Sequence, residues 1–176
     1  MIEVLDNYLP VEFFNEIRKT LLDSRFPWYY NDSIVVVDSF DSTAETGVPL
    51  QQMTHLFYSE WEWNSQFKNL VIPILNQMDV FQPLRIKANL TFKADKNYET
   101  GWHVDYKVNN KIQKCKTSVF YLTTTNGKTL FKDGREVDCI ENRMVIFDNS
   151  LENLHSGTLA TDEPCRLVLN FNWIDY

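Results

Sequence analysis

The sequence predicts a mainly β fold with flanking helices, a double-sheet barrel or jelly roll with the helices packed on one sheet. Three observations predict it. From about residue 84 onward polar and apolar residues alternate, which is the period of a half-buried strand. Such segments recur at short intervals, with Gly127, Gly134 and Gly157 marking turns between them. Before residue 84 the apolar spacing is largely helical. At 176 residues the chain is most simply one domain, 1–176, in which 1–83 is a helical support region and 84–176 supplies the barrel strands.

Taken in order, residues 2–5 read as a short strand. From Pro10 to Leu22, apolar residues at Val11, Phe13, Phe14, Ile17, Leu21 and Leu22 follow a helical spacing, with Pro10 near the first turn. Ser33 to Val37 is β-branched and strand-like. A second helical stretch is expected over Ser59–Met78, with Trp61, Phe67, Leu70, Val71, Ile74 and Leu75 available for one face and a kink at Pro73. Over 85–93 one strand face is Arg85, Lys87, Asn89, Thr91 and Lys93, and the other is Ile86, Ala88, Leu90 and Phe92. Over 165–173 the polar face is Arg166, Val168, Asn170 and Asn172, opposite Cys165, Leu167, Leu169, Phe171 and Trp173. Further strands are expected at 102–106, 116–123, 128–131, 136–140, 143–148 and 155–158. The apolar faces then meet helices or core, and the polar faces line an interior cavity. That is costly unless a ligand or metal satisfies them.

Composition excludes several classes. With 44% hydrophobic and 14% aromatic residues the chain is a folded globular protein. No apolar run approaches the ~18 to 20 residues that span a bilayer, and the start, Met-Ile-Glu-Val-Leu-Asp, lacks the features of a secretory signal. Cys115, Cys139 and Cys165, odd in number and without C-x-x-C, read as free thiols in a reducing, cytoplasmic setting. A net charge of −7 argues against nucleic acid as a partner. The charge is uneven, however: residues 85–116 hold eight bases and three acids, either as solvated lysines or as a basic rim for an anionic substrate.

The chemistry sits in one spaced set. On a strand His103 and Asp105 point to the same side, and Trp102 and Val104 to the other, where packing is the default role of Trp102. His155 can complete the set from a second strand. Two imidazoles and one carboxylate on one face suit non-haem Fe(II), leaving positions for a co-substrate and O₂. Arg166 shares a strand face with Asn170 and, inside a barrel, needs an anionic partner. Its planar fork matches a carboxylate, so a dicarboxylate chelating the metal would satisfy both. The plainer alternatives are a hydrogen-bonded His103–Asp105 pair and a structural salt bridge at Arg166. Asp148 is a candidate to orient His155. His55 lies outside the pattern as a surface or packing residue. Trp28, Tyr29 and Tyr30 form a cluster for the core, a lid or the substrate entrance.

On these residues the chain resembles the Fe(II)- and 2-oxoglutarate-dependent dioxygenases, specifically the prolyl-4-hydroxylase-like branch with its double-stranded β-helix. The resemblance covers roughly residues 84–176. It rests on His-Val-Asp at 103–105, Val-Phe-Tyr-Leu-Thr at 119–123, Asn-Gly-Lys-Thr-Leu-Phe at 126–131, Asn-Arg-Met-Val-Ile-Phe-Asp at 142–148, His-Ser-Gly at 155–157 and Arg-Leu-Val-Leu-Asn-Phe-Asn at 166–172. The chain departs at Asn126-Gly127-Lys128, where the family often has Gly-Gly, and at Tyr-Leu-Thr, where Tyr-Leu-Asn is common. The resemblance implies Fe(II) on His103, Asp105 and His155 and the distal carboxylate of 2-oxoglutarate on Arg166, with Tyr121, Asn89 and Asn170 as further co-substrate contacts. It also implies O₂ as oxidant and leaves room for ascorbate. Related halogenases lack the carboxylate ligand, so Asp105 favours hydroxylation.

The expected function is hydroxylation of an unactivated C–H, first on a peptidyl, prolyl-type side chain, with succinate and CO₂ as co-products. A free amino acid or other small molecule is the alternative substrate. A cupin-like iron dioxygenase that does not use 2-oxoglutarate is the competing chemistry, and it has no need of Arg166. A silent binding module on the same barrel would be expected to have lost a metal ligand. The sequence leaves oligomeric state and substrate identity open.

Overall fold

In chain order the elements are β1 (Ile2–Leu5), α1 (Val11–Leu21), β2 (Tyr29–Asn31), β3 (Gln52–Ser59), β4 (Glu62–Trp63), α2 (Ile72–Gln77), β5 (Gln82–Phe92), β6 (Lys107–Val108), β7 (Lys111–Ile112), β8 (Lys116–Tyr121), β9 (Lys128–Phe131), β10 (Glu136–Asp138), β11 (Arg143–Asp148), β12 (His155–Gly157) and β13 (Cys165–Ile174). The computed structural model describes residues 1–34 and 51–175. All pairings are antiparallel. The major sheet runs β1-β11-β8-β13-β5-β3-β2 with β4 beside β3, a minor sheet runs β10-β9-β12, and β6 and β7 form a hairpin.

Alternation on the central strands decides what each face of the major sheet meets. Leu167, Leu169, Phe171 and Trp173 of β13, Ile86, Ala88 and Leu90 of β5, and Phe120 of β8 pack with Phe14, Ile17 and Leu21 of α1 and Ile74 and Leu75 of α2. Phe14 and Tyr8 meet the Phe120 ring edge-on, with centroids 6.1 and 5.9 Å away. The opposite face turns toward the minor sheet. There Val119, Tyr121, Val145, Phe147 and Val168 pack with Phe131, Val137 and Cys139 in a second, smaller core. This is the double-sheet jelly roll, the double-stranded β-helix, with helices on one sheet.

The long strands at 85–93 and 165–173 and the helix at 10–22 form as expected, shifted by at most a few residues at their ends. The helix expected over 59–78 does not form as one piece. β3 runs to Ser59, and the chain reverses through Glu60 and Trp61, whose φ values of 51° and 69° are left-handed, into β4. Trp61 is therefore exposed and faces no core. The helix proper begins at Ile72, so Pro73 sits in its first turn, where a missing N–H costs nothing, and starts the helix instead of kinking it. β3 itself was hidden because a register shift between Leu56 and Tyr58 buries Phe57 and Tyr58 together and breaks the period of two. The strand expected at 33–37 falls mostly outside the described residues, and Ser33 and Ile34 are not in a strand.

Residues 102–106 form no regular strand either. His103 makes a single antiparallel bridge to His155, and the chain then turns into the β6–β7 hairpin through Asn109 and Asn110, both at positive φ. His55 is a buried packing residue among Phe26, Phe57 and Phe67. Its Nδ1–H donates to the Pro27 carbonyl at 2.7 Å and its Nε2 accepts from Ser65 Oγ at 2.7 Å, and burial pushes its pKa down. Trp28 packs on the core, while Tyr29 and Tyr30 are exposed. The three cysteines are free thiols, and no helix among the described residues is long and apolar enough to cross a membrane.

One residue ties the N-terminal segment to the barrel. Asn142 holds a left-handed φ of 59°, accepts from Leu9 N at 2.9 Å and donates to Leu9 O at 2.8 Å. Asn142→Ala strands both groups of Leu9 and retains the strained φ. It is expected to destabilise the protein by about 2–4 kcal/mol in urea unfolding. A change below about 0.5 kcal/mol would show that the tie is dispensable.

Candidate metal centre and its cavity

The bridge between His103 and His155 builds the site. His103 N donates to His155 O at 2.9 Å and His155 N donates to His103 O at 3.1 Å, so the two rings lie side by side with centroids 4.5 Å apart. Each Nδ1 faces a backbone carbonyl, Gly101 O at 3.0 Å for His103 and Asn153 O at 3.2 Å for His155. A carbonyl only accepts, so each Nδ1 carries the proton and each Nε2 presents a lone pair. Both lone pairs converge on Asp105: His103 Nε2 is 3.7 Å from Oδ1 and His155 Nε2 is 3.8 Å from Oδ2. One donor atom from each of the three residues lies within 4.8 Å of the others, a spacing that can hold a metal ion.

Asp105 reaches this place without a strand because Asn149 clamps its loop. Asn149 Oδ1 accepts from the backbone N–H of Asp105 and Tyr106 at 3.1 and 3.2 Å, and its amide donates to Tyr106 O and Gln113 O at 2.9 and 2.8 Å. Burial alone would push the Asp105 carboxyl up. Against burial, the Arg85 guanidinium, and either imidazole whenever it takes up a proton at Nε2, hold it well below the usual carboxylate range. Arg85 approaches Oδ1 at 3.5 Å and is held in turn by Asn172 Oδ1 at 3.1 Å. Asp105 Oδ2 is buried with no hydrogen-bond partner. An ionised, half-satisfied carboxylate facing two imidazole lone pairs fits a divalent cation.

The triad opens into a cavity of about 330 Å³ between the two sheets. Arg85, Lys87, Asn89 and Thr91 of β5 and Arg166, Val168 and Asn170 of β13 line it, as the strand alternation requires. Arg166 is 9% exposed and pairs with no carboxylate among the described residues. Its Nη2 donates to Thr129 Oγ1 at 3.2 Å, its Nε has no partner, and its guanidinium carbon lies 5.5 Å from the centre of the Tyr121 ring. Gly127 makes room for its stem: a Cβ there would lie 2.8 Å from Thr158 O and 3.0 Å from Arg166 Cδ.

Asn89 and Asn170 share the wall, joined by a 2.7 Å bond from Asn89 Nδ2 to Asn170 Oδ1, with Asn89 Oδ1 left unpartnered. Tyr121 is fully buried and lies behind the wall, not on it. Its hydroxyl donates to Thr129 Oγ1 at 2.7 Å, and burial pushes its pKa up to about 12. Trp102, expected to pack away from the metal, lines the cavity, with Lys132 Nζ 5.2 Å from its ring centre. Asp148 does not orient His155, because its carboxylate is taken by Lys116 at 2.8 Å and by the N-terminus. Thr129 and Asn149 carry no local sequence signal, and alternation puts Asn172 on the inner face without showing that it holds Arg85.

Fold and site thus define a double-stranded β-helix whose interior opens onto a His-Asp-His cluster. No family model and no curated protein sequence matches the chain. Among solved structures the chain is similar to a prolyl hydroxylase from Trichoplax adhaerens, in complex with a hypoxia inducible factor oxygen degradation domain peptide fragment. The identity is 11% over 98% of this chain and 83% of that one, with a TM-score of 0.65. It is also similar to a 2OG-Fe(II) oxygenase family oxidoreductase from Burkholderia pseudomallei, at 10% identity over 98% and 84% of the two chains, with a TM-score of 0.66. A Pseudomonas putida prolyl-4-hydroxylase follows, at 12% identity over 99% and 92%, with a TM-score of 0.56. These structures share the fold.

Burial and the neighbouring His103 push the His155 pKa down from 6.5 to about 4. The unfolded chain takes up this proton below about 6.5 and the folded chain only near 4, so stability from His155 is complete above 6.5 and is lost as pH falls toward 4. The urea midpoint of the metal-free parent is expected to fall more steeply between pH 6.5 and 4 than that of His155→Gln. Parallel curves would show that the ring is not held neutral.

Proposed function

We propose that this protein is an Fe(II)- and 2-oxoglutarate-dependent oxygenase that hydroxylates an unactivated C–H bond. One observation carries the reading. A partly buried His-Asp-His cluster with converging donor atoms and a buried guanidinium lacking a carboxylate partner among the described residues open into the same cavity. A cupin-like dioxygenase that does not use 2-oxoglutarate has no use for a buried cation at Arg166.

His103, Asp105 and His155 would hold the metal, and Arg166 the distal carboxylate of 2-oxoglutarate. Bound there, Fe(II) and O₂ supply oxidative decarboxylation of 2-oxoglutarate to succinate and CO₂, coupled to hydroxylation. The protein's part is orientation. The Nδ1–H bonds fix both imidazoles with Nε2 lone pairs inward, Asp105 stays ionised, and Thr129 and Tyr121 hold Arg166 from behind. Val119, Val168, Leu151 and Leu154 give the cavity its apolar surface and limit water. Asn89 and Asn170 stand on the same wall as further co-substrate contacts. A peptidyl side chain is the first substrate reading, supported by the peptide bound to the Trichoplax adhaerens relative. A small molecule is the second.

The test is spectroscopic and chemical. The parent loaded with Fe(II) under anaerobic conditions is expected to gain a weak visible absorption band on addition of 2-oxoglutarate, and to release succinate in air. No band and no succinate in the parent would overturn the reading. His103→Ala is expected to abolish the band. Arg166→Ala is expected to weaken 2-oxoglutarate at least about thirtyfold, following the ~2 kcal/mol lower bound for breaking a buried charge pair.

Gly127→Ala is expected to weaken 2-oxoglutarate while leaving Fe(II) affinity in place, because its Cβ would displace the Arg166 stem and touch no metal ligand. Equal loss of both affinities would show general unfolding instead.

A further inference from the structure

The cavity holds more positive charge than the proposed iron and 2-oxoglutarate use. Among the described residues Asp105 is the one acid on its wall, which also carries the cations Arg85, Lys87, Lys107 and Arg166. Fe(II) and 2-oxoglutarate carry equal and opposite charge, so loading both leaves this excess in place. Three of the cations have work already: Arg166 faces the 2-oxoglutarate site, Arg85 is engaged by Asp105 and Asn172, and Lys107 has a partner of its own. Lys87 makes no hydrogen bond or close ion pair among the described residues, and the acid that acts on it, at longer range, is Asp105, which Arg85 already engages. Its register partners on the neighbouring strands are Leu56 and Asn170, and neither is an acid.

Lys87 is also in the wrong place to share the anchor on Arg166. Arg166 lies opposite Thr91, and Lys87 lies opposite Asn170, four residues further along β13. At ~3.3 Å per residue that is about 13 Å of strand. The Asn89–Asn170 bond lies between the two cations. Arg85, which touches Asp105, is the next inward-facing residue of β5 after Lys87. The cations therefore form two groups, Arg166 at one end of the cavity and Lys87 with Arg85 at the other, where Asp105 and, two residues beyond it, Lys107 also line the wall.

A lysine sunk in a cavity wall next to an arginine is unfavourable in the empty site. Burial and the Arg85 charge push its pKa down to about 8, so it is still charged at neutral pH. An incoming anion would relieve that cost. A cation-lined cleft in a protein of net charge −7 draws small anions to that site while the rest of the surface repels them.

We propose that the substrate is a carboxylic acid whose carboxylate binds Lys87 at the end of the cavity away from Arg166. This rests on the oxygenase reading above and names the substrate class for the same site. Shared chemistry could come from a free acid or from an acidic side chain of a peptide.

The test uses the Fe(II)-loaded protein with 2-oxoglutarate, and reads substrate-stimulated succinate formation over matched pairs. L-Aspartate and L-glutamate are set against L-asparagine and L-glutamine, simple mono- and dicarboxylic acids against their amides, and Pro-Glu peptides against Pro-Gln peptides. The expected result is stimulation by acids and at least tenfold less by their amides. Free acids or peptides alone within the acidic set would identify the source. Lys87→Met is expected to raise the KM of the stimulating acid at least tenfold, with the 2-oxoglutarate Kd moving less than threefold. Lys87→Arg is expected to recover most of the loss, and a melting curve for each variant separates this from misfolding. Stimulation by neutral members, by none of the acids, or without dependence on Lys87 overturns the inference. So does a Lys87→Met variant in which the 2-oxoglutarate Kd shifts and the acid KM does not. An anaerobic band in the parent accompanying such a result leaves the oxygenase reading standing, whereas a parent without band or succinate removes that reading first.

Discussion

Buried polar atoms inside a barrel must find partners, and this constraint shapes the whole molecule. The inner rows of β5 and β13 are polar, and most of them are satisfied across strands: Asn172 donates to Thr117 Oγ1 at 2.9 Å, and Asn89 to Asn170 at 2.7 Å. Among the described residues, five buried side-chain atoms have no partner, and four of them belong to Asn89, Thr91, Asp105 and Arg166 on the cavity wall. The deficit is gathered at one place, not scattered through the fold. A ligand that satisfied this wall would complete the structure as well as occupy the site.

The outer face makes that concentration affordable in stability terms. Leu167, Leu169, Phe171 and Trp173 need a dry surface, and α1 and α2 supply it through Ile17, Leu21 and Ile74, which are fully buried. Because each strand alternates, the same residues that anchor the sheet to the helices fix the direction in which Arg166 and Asn170 point. Smaller parts then tune the position. Gly127 clears the Arg166 stem, Thr129 and Tyr121 back the guanidinium, and Asn149 closes the loop that carries Asp105.

The sequence was most legible where its period was unbroken. β5 and β13 alternate without interruption over Arg85–Thr91 and Arg166–Asn172, so their inner and outer faces follow from the residue pattern itself. The His103–Asp105 spacing was also visible, although its strand was not: the two side chains converge because Asn149 ties their loop from 44 residues away. That kind of tie leaves no local pattern. β3 is hidden by the register shift at Leu56 and Tyr58, and the helix expected over 59–78 is an accident of apolar spacing across a hairpin, a 3₁₀ turn at Lys68–Leu70 and a short helix. Trp102 shows the same limit, since its outward placement assumed a regular strand where there is a single bridge.

The backbone bridge between His103 and His155 joins residues on two separate stretches of chain, the second brought in by the β9–β12 pairing. Neither stretch can position its imidazole alone. The donor set therefore exists only once the minor sheet has closed over the major one, and a partly folded chain offers scattered side chains with little purchase on a metal. Capture of a metal by these residues would therefore report on completed topology, since the two backbone hydrogen bonds that join the stretches also bring the donor atoms together.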